Sequence, residues 1–329
     1  MQKRKQDHIK LAFKSQTNKN SLDERFEYEP LLNAHPVSLP EFKFFEKKFK
    51  APIWISSITG GTGLAGKINR NLAKVAGKFG LGMGLGSCRC LLNGTACFED
   101  FDVRDLIGDE LPLYANLGIS QVEQLVLAGK IEKIEQMIKR LRADGLIIHV
   151  NPMQEFFQPE GDRFNYAPIK IIEKFLKKSN TKLIVKEVGQ GMGHESLKHL
   201  LQLPLEAVEF AAFGGTNFSK LELLRSNNHF LNELSPLINT GHTAQEMLNT
   251  VNNLVNSNTN IKVKHIIISG GIDSFLDGYY LINKSILPAV YGMASNFLKY
   301  AMQDYESLEK YTATQIEGLK MAYAYLRVK

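Results

Sequence analysis

Residues 145–155 read GLIIHVNPMQE. The opening is a short apolar run without strict alternation, the pattern of a strand buried on both faces, as in a parallel sheet. Its polar groups are gathered at the C-terminal end. His149 and Asn151 lie two residues apart, so on an extended strand they face the same side. Pro152 ends the strand, and Gln154 and Glu155 follow in the loop.

The same texture recurs on either side. Apolar runs begin at Pro52 (PIWISSI), Leu81 (LGMGLG), Pro112 (PLYAN), Gly145 (GLIIHV), Lys182 (KLIVKE), Ala207 (AVEFAA), Lys264 (KHIIIS) and Leu287 (LPAVYG). Amphipathic stretches lie between most of them. In residues 121–141, Leu125, Ile131, Ile134, Ile138 and Leu141 recur at helical spacing; residues 242–255 and the C-terminal stretch from about Ser295 behave alike. The interval after strand six is long and polar and reads as an insertion. Eight strands alternating with helices predict a single (β/α)8 TIM barrel, with an open doubly wound sheet as the competitor. Residues 1–50 read as an irregular N-terminal extension and residues 51–329 as the barrel.

A barrel handles ligands at its strand C-termini and in the loops beyond them. Each apolar run is indeed followed by a polar or glycine-rich motif: SSITGG, GSCR, ANLG, HVNPMQE, KEVGQGMG, AFGGTN, SGGI and YGMAS. One such turn carries little meaning, whereas polar ends on all eight strands point to a site. The glycines of the last two motifs let backbone N–H groups approach phosphate oxygens. Lys186, at the end of strand five, is either a surface terminator or a fixed cation in the mouth, where it would stabilise an anionic reduced flavin. Glu155 among neutral polar groups is a poor cage by itself but suits Mg2+, which takes few protein carboxylates and completes its shell with water and phosphate.

Composition narrows the classes further. The 329 residues carry a formal net charge of +6, and residues 1–50 alone contribute +4. The remainder is nearly balanced, which argues against a broad nucleic-acid face. No run of ~18 apolar residues predicts a membrane span. Cys88, Cys90 and Cys97 are an odd count in one short segment without a partner set for zinc, and read as structural thiols in a reduced, cytoplasmic setting.

The motifs R-K-x-x-H at Arg4, Lys5 and His8, S-I-T-G-G, G-S-x-R, A-N-L-G, H-x-N-P-x-Q-E, K-E-V-G-x-G, G-G-T and S-G-G-I run in one order along nearly the whole chain. In this the sequence resembles the type 2 isopentenyl-diphosphate isomerases. The resemblance implies a flavoprotein that interconverts isopentenyl and dimethylallyl diphosphate with FMN, Mg2+ and NADPH, assembled as a homo-oligomer, tetramer or octamer. By the same resemblance Arg4, Lys5 and Arg89 bind the substrate diphosphate, and Gln154 and His149 act on the substrate with Asn151 beside them. Glu155 holds Mg2+. Ile58, Thr59, Gly60, Ser87, Asn116, Lys186 and Thr216 contact FMN, with Gly270, Gly271, Gly292 and Met293 around its phosphate. Three places depart from the family pattern: Asp273 stands where an arginine is expected, Phe218 where a tryptophan is common, and the strand-eight end YGMAS is looser than the family's glycine-alanine pattern. The rival is another FMN barrel of the 2-hydroxy-acid oxidase type, which leaves Arg4 and Lys5 unexplained; a catalytically dead barrel is the non-enzymatic alternative.

Overall fold

The computed structural model describes residues 2–58, 60–94, 97–226, 233–257 and 259–329. Eight parallel strands close into a barrel. They are β1 (Ile53–Ile55), β2 (Gly82–Gly84), β3 (Leu113–Gly118), β4 (Gly145–His149), β5 (Leu183–Lys186), β6 (Ala207–Glu209), β7 (His265–Ser269) and β8 (Ala289–Met293). Each strand coincides with one of the apolar runs of the sequence, β3 and β8 continuing past theirs to Gly118 and Met293, and the open sheet is excluded because β8 pairs with β1.

The strand period of two sorts the barrel interior into layers. The lower layer is apolar: Trp54, Tyr114, Ile147, Ile184, Ala207, Ile267 and Val290 form one buried cluster. Gly82 completes it, because a side chain there would strike the Trp54 ring at 2.5 Å. Two residues further along each strand, the next layer reads Ser56, Gly84, Asn116, His149, Lys186, Glu209, Ser269 and Gly292. Every non-glycine in that layer is polar. A second, larger apolar cluster fills the space between the outer faces of the strands and the surrounding helices.

The bottom of the barrel is closed by a hairpin, Phe42–Phe44 paired with Lys47–Phe49, so part of the N-terminal segment packs into the barrel. Its turn residues Phe45 and Glu46 have φ of 53° and 62°, as a tight twisted turn demands. That conformation costs a non-glycine about 1–2 kcal/mol per residue. Burial of Phe45 against Trp54, edge to face at 5.8 Å, contributes about 2–3 kcal/mol and offsets it. Lys47 Nζ then donates to Asp144 Oδ1 at 2.6 Å, and Arg104, only 2% exposed, donates to Asp144 Oδ2 at 2.8 Å. Burial alone would raise the Asp144 carboxyl; the hydrogen bonds from Lys47, the Leu113 N–H and Arg104 outweigh it and hold the group below its ordinary range.

Four local expectations are revised. The periodic stretch 121–141 is two helices, Ile119–Leu127 and Glu132–Arg140, because Gly129 turns left-handed (φ 67°) and the Lys130 N–H closes back on the Leu125 carbonyl. The C-terminal pattern likewise divides into Ser295–Ala301 and Tyr305–Tyr325, where Asp304 caps the second helix through the Ser307 N–H. The N-terminal segment is not irregular throughout, since Gln2–Leu11 is helical with no buried residue. Cys90 and Cys97 form a disulfide and are not free thiols: Cys90 lies in the 3-10 turn Arg89–Leu92 and Cys97 precedes the 3-10 turn Phe98–Asp100, with their Cα atoms 6.5 Å apart, while Cys88 is a free, buried thiol. Among the described residues no helix is long and apolar enough to cross a membrane.

Candidate active site

The polar layer opens at the C-terminal ends of the strands onto a cavity of about 330 Å³. Lys186 and Glu209 face it from adjacent strands, 7% and 0% exposed, with Lys186 Nζ 3.7 Å from Glu209 Oε1. Ser269 donates its hydroxyl to the same carboxylate oxygen at 3.2 Å. Glu209 Oε2, Ser56 Oγ and Ser57 Oγ are buried without a partner in the protein. Unpaired buried polar atoms cost about 1–3 kcal/mol each, and three of them around one cavity mark a surface made to receive a polar ligand.

Glycines shape the other side of the cavity. Gly270 and Gly271 run left-handed at φ 91° and 67°, and a Cβ at Gly270 would lie 2.1 Å from the Ala212 carbonyl oxygen. A Cβ at Gly292 would lie 2.6 Å from Ser56 Oγ. Only a bare backbone fits at these places, leaving main-chain groups open to the cavity. Thr216 and Met293 complete this wall, so Lys186, Thr216, Gly270, Gly271, Gly292 and Met293 are brought together. Asp273 lines the same cavity and its N–H is held by Asp277; Phe218 borders it as the first residue of the helix Phe218–Arg225.

His149 stands next to Lys186 in the strand register. Its Nδ1 lies 2.8 Å from Asn116 Oδ1, while Asn116 Nδ2 donates to the Leu85 carbonyl. That second bond fixes the amide, so Nδ1 carries the proton and Nε2 is left as an acceptor. Burial, reinforced by the Lys186 charge, pushes His149 down to about 3. The ring is therefore neutral at physiological pH.

Beyond β4 the chain turns into the helix Pro152–Phe157, placing Gln154 and Glu155 on a helical turn and not in a loop. Pro152 at the first helical position has its φ already set for that turn. Asn151 Nδ2 donates to both Gln154 Oε1 and Glu155 Oε1 at 3.0 Å, and Asn151 Oδ1 is buried without a partner. Glu155 Oε2 accepts the Asp162 N–H at 2.7 Å, and Gln154 Nε2 reaches Glu222 Oε1 at 3.4 Å. Arg89 is exposed and lies 3.7 Å from Asp162, which links it to this cluster.

Other sequence candidates sit apart. Arg4 and Lys5 stand on the exposed N-terminal helix, and their side chains make no hydrogen bond or ion pair among the described residues. Ile58 packs against the outer apolar cluster, Ser87 is exposed, and Gly60 lies against the Phe101 ring. Thr59 lies outside the described residues. Sequence reasoning passed over Glu209, Glu222 and Ser56. Glu209 could have been found by counting two residues on from Ala207 along its strand; nothing in the polar insertion distinguishes Glu222 from its neighbours.

Among the described residues no group of three His, Cys, Asp or Glu side chains could enclose a metal ion. No protein-family model matches the sequence. A Rickettsia felis protein named isopentenyl-diphosphate delta-isomerase is 34% identical over 328 residues, covering 97% of this chain and 90% of its own. The chain belongs to the isopentenyl-diphosphate delta-isomerase family. A Rickettsia typhi member of the same name is 34% identical over 91% of this chain and 85% of its own. Among solved structures, the flavin-binding domain of baker's yeast flavocytochrome b2 superposes with a TM-score of 0.62 at 13% identity, over 90% of this chain and 70% of that one. A mandelate oxidase variant superposes with a TM-score of 0.57 at 11% identity, over 93% and 88%. These two likenesses establish the barrel fold, and the eight strands agree with the type 2 form of the isomerase family.

Proposed function

We propose that this chain interconverts isopentenyl and dimethylallyl diphosphate at the barrel mouth, using reduced FMN, Mg2+ and a nicotinamide reductant. The observation that carries the reading is the polar layer at the cavity floor, with unpartnered Ser56, Ser57 and Glu209 atoms beside a buried cation, in a chain whose named relatives are isopentenyl-diphosphate isomerases. The residues fit a flavin. Lys186 offers N–H donors to a ring edge, while Gly270, Gly271 and Gly292 leave backbone free for its phosphate, with Thr216 and Met293 alongside. Reduced FMN bound there supplies acid–base chemistry for moving a proton between alkene carbons. Moving one double bond consumes no net electrons, so NADPH enters only to keep the flavin reduced.

The chain's own residues position and solvate the reacting groups. Gln154 has its amide oriented by Asn151 on one side and Glu222 on the other, so it presents a fixed donor to the substrate. Neutral His149 adds an acceptor at Nε2 and no charge, which suits a pocket that handles a hydrocarbon chain. Glu155 already accepts two hydrogen bonds, and its remaining lone pairs suit a single-carboxylate Mg2+ site completed by diphosphate and water. Arg4, Lys5 and Arg89 are unburied cations of the kind that clamp a diphosphate. The helix Gln2–Leu11 would bring the first two over its own mouth or that of a neighbouring copy in a homo-oligomer. An oxidase clamp for a 2-hydroxy acid has no support at the ends of β7 and β8, because neither residues 270–273 nor residues 292–296 contain an arginine or histidine.

The test is direct. Purified protein given FMN, NADPH, Mg2+ and isopentenyl diphosphate is expected to yield dimethylallyl diphosphate without stoichiometric loss of NADPH. NADPH consumption matched to product, or no uptake of FMN, overturns the proposal. Glu155→Gln is expected to raise the Mg2+ concentration needed for half-maximal rate.

A further inference from the structure

The Lys186–Glu209 pair has a geometry that the proposed reaction does not account for. Lys186 Nζ is 3.7 Å from Glu209 Oε1, within ion-pair range but longer than an N–H···O hydrogen bond. Glu209 is fully buried, on the strand beside Lys186, and aligned with it in the register. One of its oxygens takes the Ser269 hydroxyl; the other is unpartnered. A buried carboxylate held so loosely is a poor stabiliser of the fold. Its field is another matter, since charges this close in a water-poor site interact strongly. Seen from the cavity, the ammonium is not a lone cation but the positive end of a Lys–Glu dipole.

We propose that Glu209 is a positioning residue that balances the charge of Lys186, so that a flavin in the cavity meets a compensated cation. The inference rests on the flavin reading given above. An uncompensated lysine would draw the proton off N1 of the reduced ring and release it to solvent, leaving the ring anionic. With Glu209 alongside, that proton is retained to higher pH and remains on the ring for acid–base exchange.

The FMN-loaded full chain, reduced anaerobically with dithionite and titrated with pH, reads the N1 proton through its absorbance spectrum. Glu209→Gln, nearly isosteric but uncharged, is expected to move that titration at least one unit lower, a tenfold change or more. Glu209→Asp retains the charge one methylene further back and is expected to move it the same way by less; it carries the test where the Gln variant does not fold. Ser269→Ala removes the neighbouring hydroxyl, leaves both charges, and is expected to stay near the unmodified protein. FMN-loaded Gln and Asp variants that both titrate with the unmodified protein overturn the proposal, as does a Ser269→Ala shift as large as that of Glu209→Gln. A chain that takes up no FMN overturns the flavin reading and this inference with it.

Discussion

His149 gives the sharpest stability test. In the folded protein burial and the Lys186 charge push it down to about 3, against an ordinary value of 6.5. The sign follows from proton uptake: between these values the unfolded chain binds a proton that the folded chain refuses, so stability falls as pH falls. The contribution is fully present above about pH 6.5 and is lost progressively on acidification toward 3. At about 1.4 kcal/mol per unit, going from pH 7 to pH 5 costs roughly 2 kcal/mol from this residue alone. Other groups also respond to acid, so the comparison is with His149→Gln, which retains a side-chain donor for Asn116 but does not titrate. Urea unfolding of both proteins at pH 7 and pH 5 gives the two stability differences. The unmodified protein is expected to lose about 2 kcal/mol more than the variant. Losses equal within about 0.5 kcal/mol would refute the claim that the ring is held neutral by its surroundings.

Two further outcomes follow from the fold. Asp144→Ala strands the buried Arg104 guanidinium and detaches Lys47 of the bottom hairpin, and is expected to cost about 3 kcal/mol in urea unfolding; a loss below about 1 kcal/mol would show that the pair is not coupled to folding. Under denaturing conditions without reductant, Ellman's reagent is expected to count one thiol per chain, Cys88, and three after reduction. Three thiols before reduction would remove the Cys90–Cys97 bond.

The position of each strand was readable from its apolar run, and the placement of polar motifs after those runs marked the mouth. Harder to read were contacts between segments far apart in the chain. Glu222 meets Gln154 across 68 positions, and Asp162 reaches back to Glu155 through a backbone N–H that no residue type advertises. The hairpin at the bottom was hidden because its phenylalanines sit in a charged segment, where FKFFEKKF shows neither strand nor helix period clearly. The Cys90–Cys97 bond was missed because three cysteines in a short segment suggest a count, while pairing depends on the local turn.

By itself the sequence determined the order and number of strands, the polarity of their ends and the family, since these depend on side-chain type and spacing along one chain. The tertiary structure alone decided which end residues share a layer. Closing the barrel fixes strand register, and register sets Lys186 against Glu209 on one side and His149 on the other. The neutrality of His149 follows from its burial and the nearby Lys186, which are properties of the closed barrel and not of any one strand.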